Sequence, residues 1–127
     1  MSTELFGKKI CSPICIGPAA MQGLAHPEAE IATMKAAQKR NTAYSLSTLS
    51  NVALEKAAKY ASGVPKIMQL YCFKTEKQNQ DFLRRVEAAG FDGVAVTVDT
   101  PTFGFRRADI YNNFHLPPHL KYKNIQL

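Results

Sequence analysis

The stretch "VAVTVDTPTFGFRRAD", Val94 to Asp109, begins as an apolar strand and then changes character. It carries Thr97, Asp99 and Thr100 at its end, breaks at Pro101, and then presents Arg106 and Arg107. A strand that only packs has no use for a carboxylate and two guanidinium groups at its tip. A strand that bears a binding site on its last residues does. Period-two alternation puts Thr97 and Asp99 on one face, so both can point into the same site.

Outward from this stretch, four short apolar strands alternate with three helical segments. The first strand is expected over residues 12–17, "SPICIG", before Pro18 and a turn of small residues. A helix is expected from residue 27 to about 40. Pro27 suits the first helical position, Glu28 and Glu30 its positive end, and Lys39-Arg40 its negative end, with Asn41 as the stop. The second strand is expected over 42–46. Ser50 then caps a helix from 51 to about 61, ended by Gly63. The third strand covers 66–71. Thr75 and Gln78 match a capping box, and the helix they open aligns Phe82, Leu83, Val86 and Ala89 before Gly90 closes it. The fourth strand is expected over 93–98.

Strands recurring every ~25–30 residues with helices between them mean parallel βαβ units. An open doubly wound sheet and a (β/α)₈ barrel both fit that rhythm. The polar residues decide. Each strand has functional-looking groups at or beyond its carboxyl end: Pro18-Ala19-Ala20, Ser47, Gln69 with Tyr71, and Thr97 with Asp99. A barrel spreads its site over successive strand tips in this way. An open sheet concentrates it at one switch point, usually with a glycine-rich loop, and no G-x-G-x-x-G occurs here. The fold expected is therefore α/β: the first four βα units of a TIM barrel, with residues 1–127 forming one partial domain and no second domain.

The composition, 46% hydrophobic and 20% charged, fits a globular chain. No window approaches the ~18 consecutive apolar residues of a membrane span. The start, Met1-Ser2-Thr3-Glu4, lacks the basic and apolar regions of a secretory signal, so an intracellular protein is expected. The net charge of +6 is scattered along the chain without interleaved aromatics, which favours small anions over nucleic acid as partners. Cys11, Cys15 and Cys72 show no metal-ligand spacing; they are expected to be reduced and half-buried, with Cys11 and Cys15 on one strand face.

Four segments together, "PAAMQGLAHPE" (18–28), "QLY" (69–71), "AGFDGVAVTVDTP" (89–101) and "NNFHLPP" (112–118), resemble the FMN-dependent 2-hydroxy acid oxidases, the glycolate oxidase and hydroxyacid oxidase group. The likeness runs from about Leu5 to the end, in family order. It implies FMN as cofactor and a small 2-hydroxy acid, oxidised to a 2-oxo acid with reduction of dioxygen to hydrogen peroxide. It implies that Pro18, Ala19 and Ala20 lie along the flavin ring and that Ser47, Gln69 and Thr97 hydrogen-bond it. By the same resemblance Tyr71 and Arg106 meet the substrate, and Asp99 orients a catalytic histidine that lies outside these residues. His26, His115 and His119 do not match that histidine. A peroxisomal location is implied too, although Ile125-Gln126-Leu127 is not a Ser-Lys-Leu signal.

Plainer readings stand beside these. Ser47 and Thr97 also read as strand-end residues satisfying nearby backbone, Asp99 as a turn former, and Arg106 with Arg107 as a solvated pair. Gln69 is harder to explain so, because a buried amide needs partners. Leu49 stands where glycolate-using members often have tryptophan, which predicts room for longer hydroxy acids. The expectation is a half-barrel portion of such an oxidase, inactive alone. The rivals are a non-catalytic half-barrel that dimerises through its open edges, one half of a split enzyme joined by a complementary half-barrel, and an anion- or nucleotide-binding module from another barrel family.

Overall fold

The computed structural model describes residues 1–102 and 104–125. Gln126 and Leu127, on which the carboxyl-terminal signal was read, lie outside them, as does Phe103.

The chain opens with an antiparallel hairpin, β1 (Thr3–Leu5) and β2 (Lys8–Ile10). Phe6 and Gly7 turn it with φ of 50° and 73°, the doubly positive pattern that matches strand twist in a two-residue loop. After a 3₁₀ turn at Gln22–Leu24 come α1 (Glu30–Lys39), β3 (Tyr44–Leu46), α2 (Leu54–Ala57) with a 3₁₀ extension at Ala58–Tyr60, and β4 (Lys66–Leu70). Next are α3 (Glu76–Ala88), β5 (Gly93–Val96) and a short α4 (Arg107–Tyr111).

β3, β4 and β5 form a parallel sheet in that order. The first expected strand, 12–17, is reduced to one parallel bridge between Ile16 and Tyr44. Ile16 donates to the Ala43 carbonyl and accepts from Ser45, each at 2.9 Å. With that bridge the chain lays four successive segments side by side.

Register fixes the two faces. Leu46, Met68 and Val94 are aligned, as are Leu70 and Val96. Tyr44, Leu46, Met68 and Leu70 pack with Met34 and Ala37 of α1, Leu54 and Ala57 of α2, and Phe82 and Val86 of α3 to make the core. The alternate residues, Ser45, Ser47, Ile67, Gln69, Ala95 and Thr97, look the other way.

The hairpin seats at the amino ends of the strands. Lys8 Nζ lies 2.8 Å from Asp92, just before β5, and donates to the Val64 carbonyl at 3.4 Å, just before β4. Cys11 N donates to the Asn41 carbonyl at 2.9 Å. The Phe6 ring covers Gly93, where a Cβ would come within 2.7 Å of it.

Several sequence readings need correction. α1 starts at Glu30 and not at Pro27, because Ala29 holds φ 49° and ψ −136°, outside helical space. Ser50 does not cap α2; Asn124 does, its Oδ1 accepting from Leu54 N at 2.7 Å. The capping box at Thr75 and Gln78 is present, but Leu83 is exposed while Phe82 and Val86 are buried. All three cysteines are exposed, and Cys11 and Cys15 share no strand.

Candidate active site at the strand carboxyl ends

Gln69 is the centre of the arrangement. Its side chain emerges near the carboxyl end of β4 and is 4% exposed. Its Oε1 accepts from Thr48 N at 3.0 Å, and its Nε2 donates to Thr97 Oγ1 at 2.9 Å. A backbone N–H can only donate, so Thr48 settles which end of the amide is oxygen. Thr97 therefore receives a hydrogen bond and keeps its own hydroxyl hydrogen for another acceptor. One N–H and one lone pair of the Gln69 amide also remain. Thr48 Oγ1 donates to the Gln69 carbonyl, which pins the strand end to the following loop.

Ser47 follows β3 on the same face, where its register partner is Gln69 by continuation of the Leu46–Met68 pairing. It is buried, and its Oγ accepts from Leu49 N at 3.1 Å. Leu49 in turn joins the small-residue turn, its carbonyl accepting from Met21 N at 3.3 Å. In that turn Pro18 and Ala19 are exposed and Ala20 half-buried. Gln22 Nε2 donates to the Ala19 carbonyl at 3.2 Å and to the Tyr44 hydroxyl at 3.4 Å. Burial pushes the Tyr44 phenol well above its ordinary value, so it remains neutral. A continuous line of contacts thus runs from the 18–20 turn through Leu49, Ser47 and Thr48 to Gln69 and Thr97.

The remaining candidates lie at the open side. Tyr71 and Asp99 fall just beyond β4 and β5 and are exposed. Among the described residues, Asp99 accepts a side-chain hydrogen bond only from its neighbour, Thr100 Oγ1, at 3.3 Å. Arg106 is exposed at the start of α4. Among the described residues, no hydrogen bond or ion pair joins Asp99 to Arg106. The structure therefore brings Ser47, Gln69 and Thr97 together and leaves Tyr71, Asp99 and Arg106 at the rim without mutual contact. The sequence reading missed Thr48, whose amide fixes Gln69, and Glu30, whose carboxylate lies behind the 18–20 turn. Glu30 was read only as a charge at a helix end. A cleft of about 460 Å³ bounded by Phe73, Phe82, Arg85 and Asn124 contains none of the candidate residues.

The fold and site define the class first: an α/β chain whose polar groups gather at the carboxyl ends of parallel strands. The comparisons with known proteins then give the family. The sequence model of the FMN-dependent dehydrogenases matches residues 1–127, and the chain belongs to that family. It is 45% identical over 126 residues to glycolate oxidase 3 of Oryza sativa subsp. indica, covering 99% of this chain and 34% of that protein. It is 37% identical over the same length to 2-hydroxyacid oxidase 1 of Mus musculus, again covering 34% of it. Among solved structures, a mandelate oxidase with (S)-2-phenylpropionate superposes with TM-score 0.91 at 37% identity, over 98% of this chain and 36% of that one. A mandelate oxidase variant with a C4a-OH-FMN adduct gives the same TM-score at 36% identity, over 98% and 37%. The chain spans about a third of the length of the relatives it matches.

FMN is the cofactor of this family, and the residues present fit one part of it. A flat ring reaches a backbone closely only where side chains are small, as at Pro18, Ala19 and Ala20. A ring edge carrying nitrogen and oxygen needs both donors and acceptors, which Thr97 and Gln69 retain.

Proposed function

We propose that this chain supplies the flavin-facing wall and part of the substrate site of an FMN-dependent (S)-2-hydroxy acid oxidase. In this reading residues 1–127 form the first four βα units of a TIM barrel, one partial domain, with the site at the barrel mouth. The observation that carries it is the Gln69 amide, buried, oriented by Thr48 and bonded to Thr97 across two strands. A packing role alone would not place a buried amide there with one N–H and one lone pair still unused and a free hydroxyl hydrogen beside it.

FMN, when bound, supplies a two-electron acceptor. The chain's own residues then divide the work. The 18–20 turn admits the ring, Ser47, Gln69 and Thr97 hold its polar edge, and Tyr71 offers a hydroxyl to the substrate. Arg106 attracts the substrate carboxylate. Asp99 holds the position that orients a histidine base from outside these residues. The overall conversion takes a 2-hydroxy acid to a 2-oxo acid, with two electrons and two protons passing to dioxygen to give hydrogen peroxide. Acid–base groups act as a unit, so the chain alone is expected to be inactive.

Titration of FMN fluorescence with the isolated chain tests the division of the cofactor site. Weak binding that Gln69→Leu abolishes supports the reading. Tight stoichiometric binding, insensitive to Gln69 and Thr97, overturns it.

The open side of β5 favours one further possibility. Val96 and Val98 are 49% and 86% exposed, and an uncovered apolar edge strand invites pairing. In this second reading the chain is an inactive half-barrel joined by a second copy or a complementary half. Sedimentation that shows a monomer at all concentrations refutes the second-copy form.

A further inference from the structure

The 18–20 turn is held from behind by a carboxylate with no part in the reading above. Glu30 opens α1 and is 0% exposed. Its Oε1 accepts from two backbone amides, Gln22 N and Asn51 N, each at 3.1 Å. Gln22 continues the 18–20 turn; Asn51 ends the loop that carries Ser47. Asn51 repeats the tie, its Oδ1 accepting from Gly23 N at 3.0 Å and its Nδ2 donating to the Lys121 carbonyl at 3.2 Å.

Packing does not explain this glutamate. Its Oε2 is buried without a partner among the described residues, and an apolar side chain would fill the space without that penalty. The backbone on both sides is also held in unfavourable conformations: Met21 at φ 55° and Ala29 at φ 49°, ψ −136°. Non-glycine residues persist there only where surrounding contacts over-determine them. Among the described residues, the one direct backbone bond between the turn and the Ser47 loop, Met21 N to the Leu49 carbonyl at 3.3 Å, is long for its type. A single oxygen serving both segments fixes the distance between them far more tightly.

We propose that Glu30 is a positioning residue that sets the spacing between the 18–20 turn and the Ser47 loop, the two sides of the flavin-facing wall. The inference rests on that reading of the wall and deepens it.

Amide hydrogen exchange followed by NMR on the 127-residue chain, with Glu30→Gln and Glu30→Ala, tests it without FMN. Glutamine keeps an acceptor oxygen but loses the carboxylate's charge, so exchange at Gln22 and Asn51 should quicken about tenfold. Alanine should quicken it roughly a further tenfold or more, with α3 amides unchanged in both. Unchanged exchange at both amides in Glu30→Gln overturns the proposal, whether or not the alanine variant folds. In millimolar FMN, shifts at the Ala19 and Ala20 amides should appear in the wild type, persist in Glu30→Gln and vanish in Glu30→Ala. Shifts of equal size in Glu30→Ala overturn the positioning role. Absence of any wild-type shift at Ala19, Ala20 and Thr97 overturns the flavin-facing reading instead, while exchange still decides the clamp.

Discussion

The side-chain amide of Gln69 donates to the hydroxyl of Thr97 at 2.9 Å, reaching diagonally past its own register partner, Ala95, to the residue just beyond the end of β5. The bond ties two strand tips together at the point where the sheet stops being covered. The helix side of this sheet is mainly apolar, through Tyr44, Leu46, Met68 and Leu70, while Ser47, Gln69 and Thr97 sit on the opposite face near the carboxyl ends. That segregation separates the part of the chain that folds it from the part that can bind.

Removing either partner has unequal consequences. Gln69→Leu leaves the buried Thr48 amide without an acceptor and should cost about 1–3 kcal/mol of stability. Thr97→Val removes only an acceptor from one amide hydrogen and should cost roughly 1 kcal/mol. Urea denaturation of both single variants and the double checks this. The double variant should lose less than the sum, because the two residues share one bond.

Much of this was legible because it is local or periodic. The capping box at Thr75 depends on residues three apart, and the gathering of Ser47, Gln69 and Thr97 follows from their shared place at strand ends. What failed depends on distant partners. Nothing near Ser50 announces that Asn124 will cap α2. The helix after Pro27 starts late because Ala29 lies outside helical space, and Glu30, its first residue, bonds the distant Gln22 and Asn51 amides. The first expected strand has a proline in it and finds only one paired residue, Ile16. The amino-terminal hairpin did carry a signal, Phe6-Gly7 between two short runs, but its lysines and glutamate obscured the alternation. Asp99 and Arg106 were legible as site candidates, yet their meeting is not: the described residues leave them apart.

Acid should unfasten the hairpin. Burial raises the Asp92 carboxyl, but the hydrogen bond from Lys8, the Lys66 amide and the nearby positive charges outweigh it and hold the group below its ordinary value of 3.8. A depressed carboxyl contributes stability that is fully present above the unfolded value and is lost as pH falls through the folded one. Thermal melting from neutral pH down through 3 should therefore show a loss of stability below about pH 4. Asp92→Asn should flatten that part of the acid limb while lowering stability at neutral pH. An acid limb unchanged in Asp92→Asn would assign the loss to other carboxylates, such as Glu55 beside Arg85, also held low.

Ala29→Gly should stabilise the chain. At φ 49° and ψ −136° the alanine Cβ is strained, at a cost of about 1–3 kcal/mol. Glycine adopts that conformation freely but loses more entropy on folding, roughly 0.5–1 kcal/mol. The difference favours glycine by about 1 kcal/mol, seen as a rise in Tm. A fall in Tm would mean that the buried Ala29 methyl matters more through its contacts with the core than its backbone costs.

Asn124 makes the sharpest prediction about how the site's loops are secured. It is 4% exposed, and both ends of its amide are used. Oδ1 accepts from Leu54 N, the first amide of α2, at 2.7 Å; Nδ2 donates to Ser50 Oγ at 2.6 Å and lies 3.4 Å from the Val52 carbonyl. The residue thus caps a helix 70 positions away and fastens the 116–125 segment over the loop that follows Ser47. Lys123 N adds a bond to the Ser50 carbonyl at 3.1 Å. Asn124→Ala strips the Leu54 amide of its acceptor in a buried setting, which should cost about 1–3 kcal/mol. Asn124→Asp keeps that acceptor at a helix start, where negative charge is favourable. It turns the other oxygen toward Ser50, whose hydroxyl can rotate to donate to it at the expense of its bond to Val52. The aspartate variant should therefore lose less than half of what the alanine variant loses. Chemical denaturation of the two, side by side, checks the order. Equal losses would show that the Ser50 contact, and not the helix cap, is what Asn124 provides.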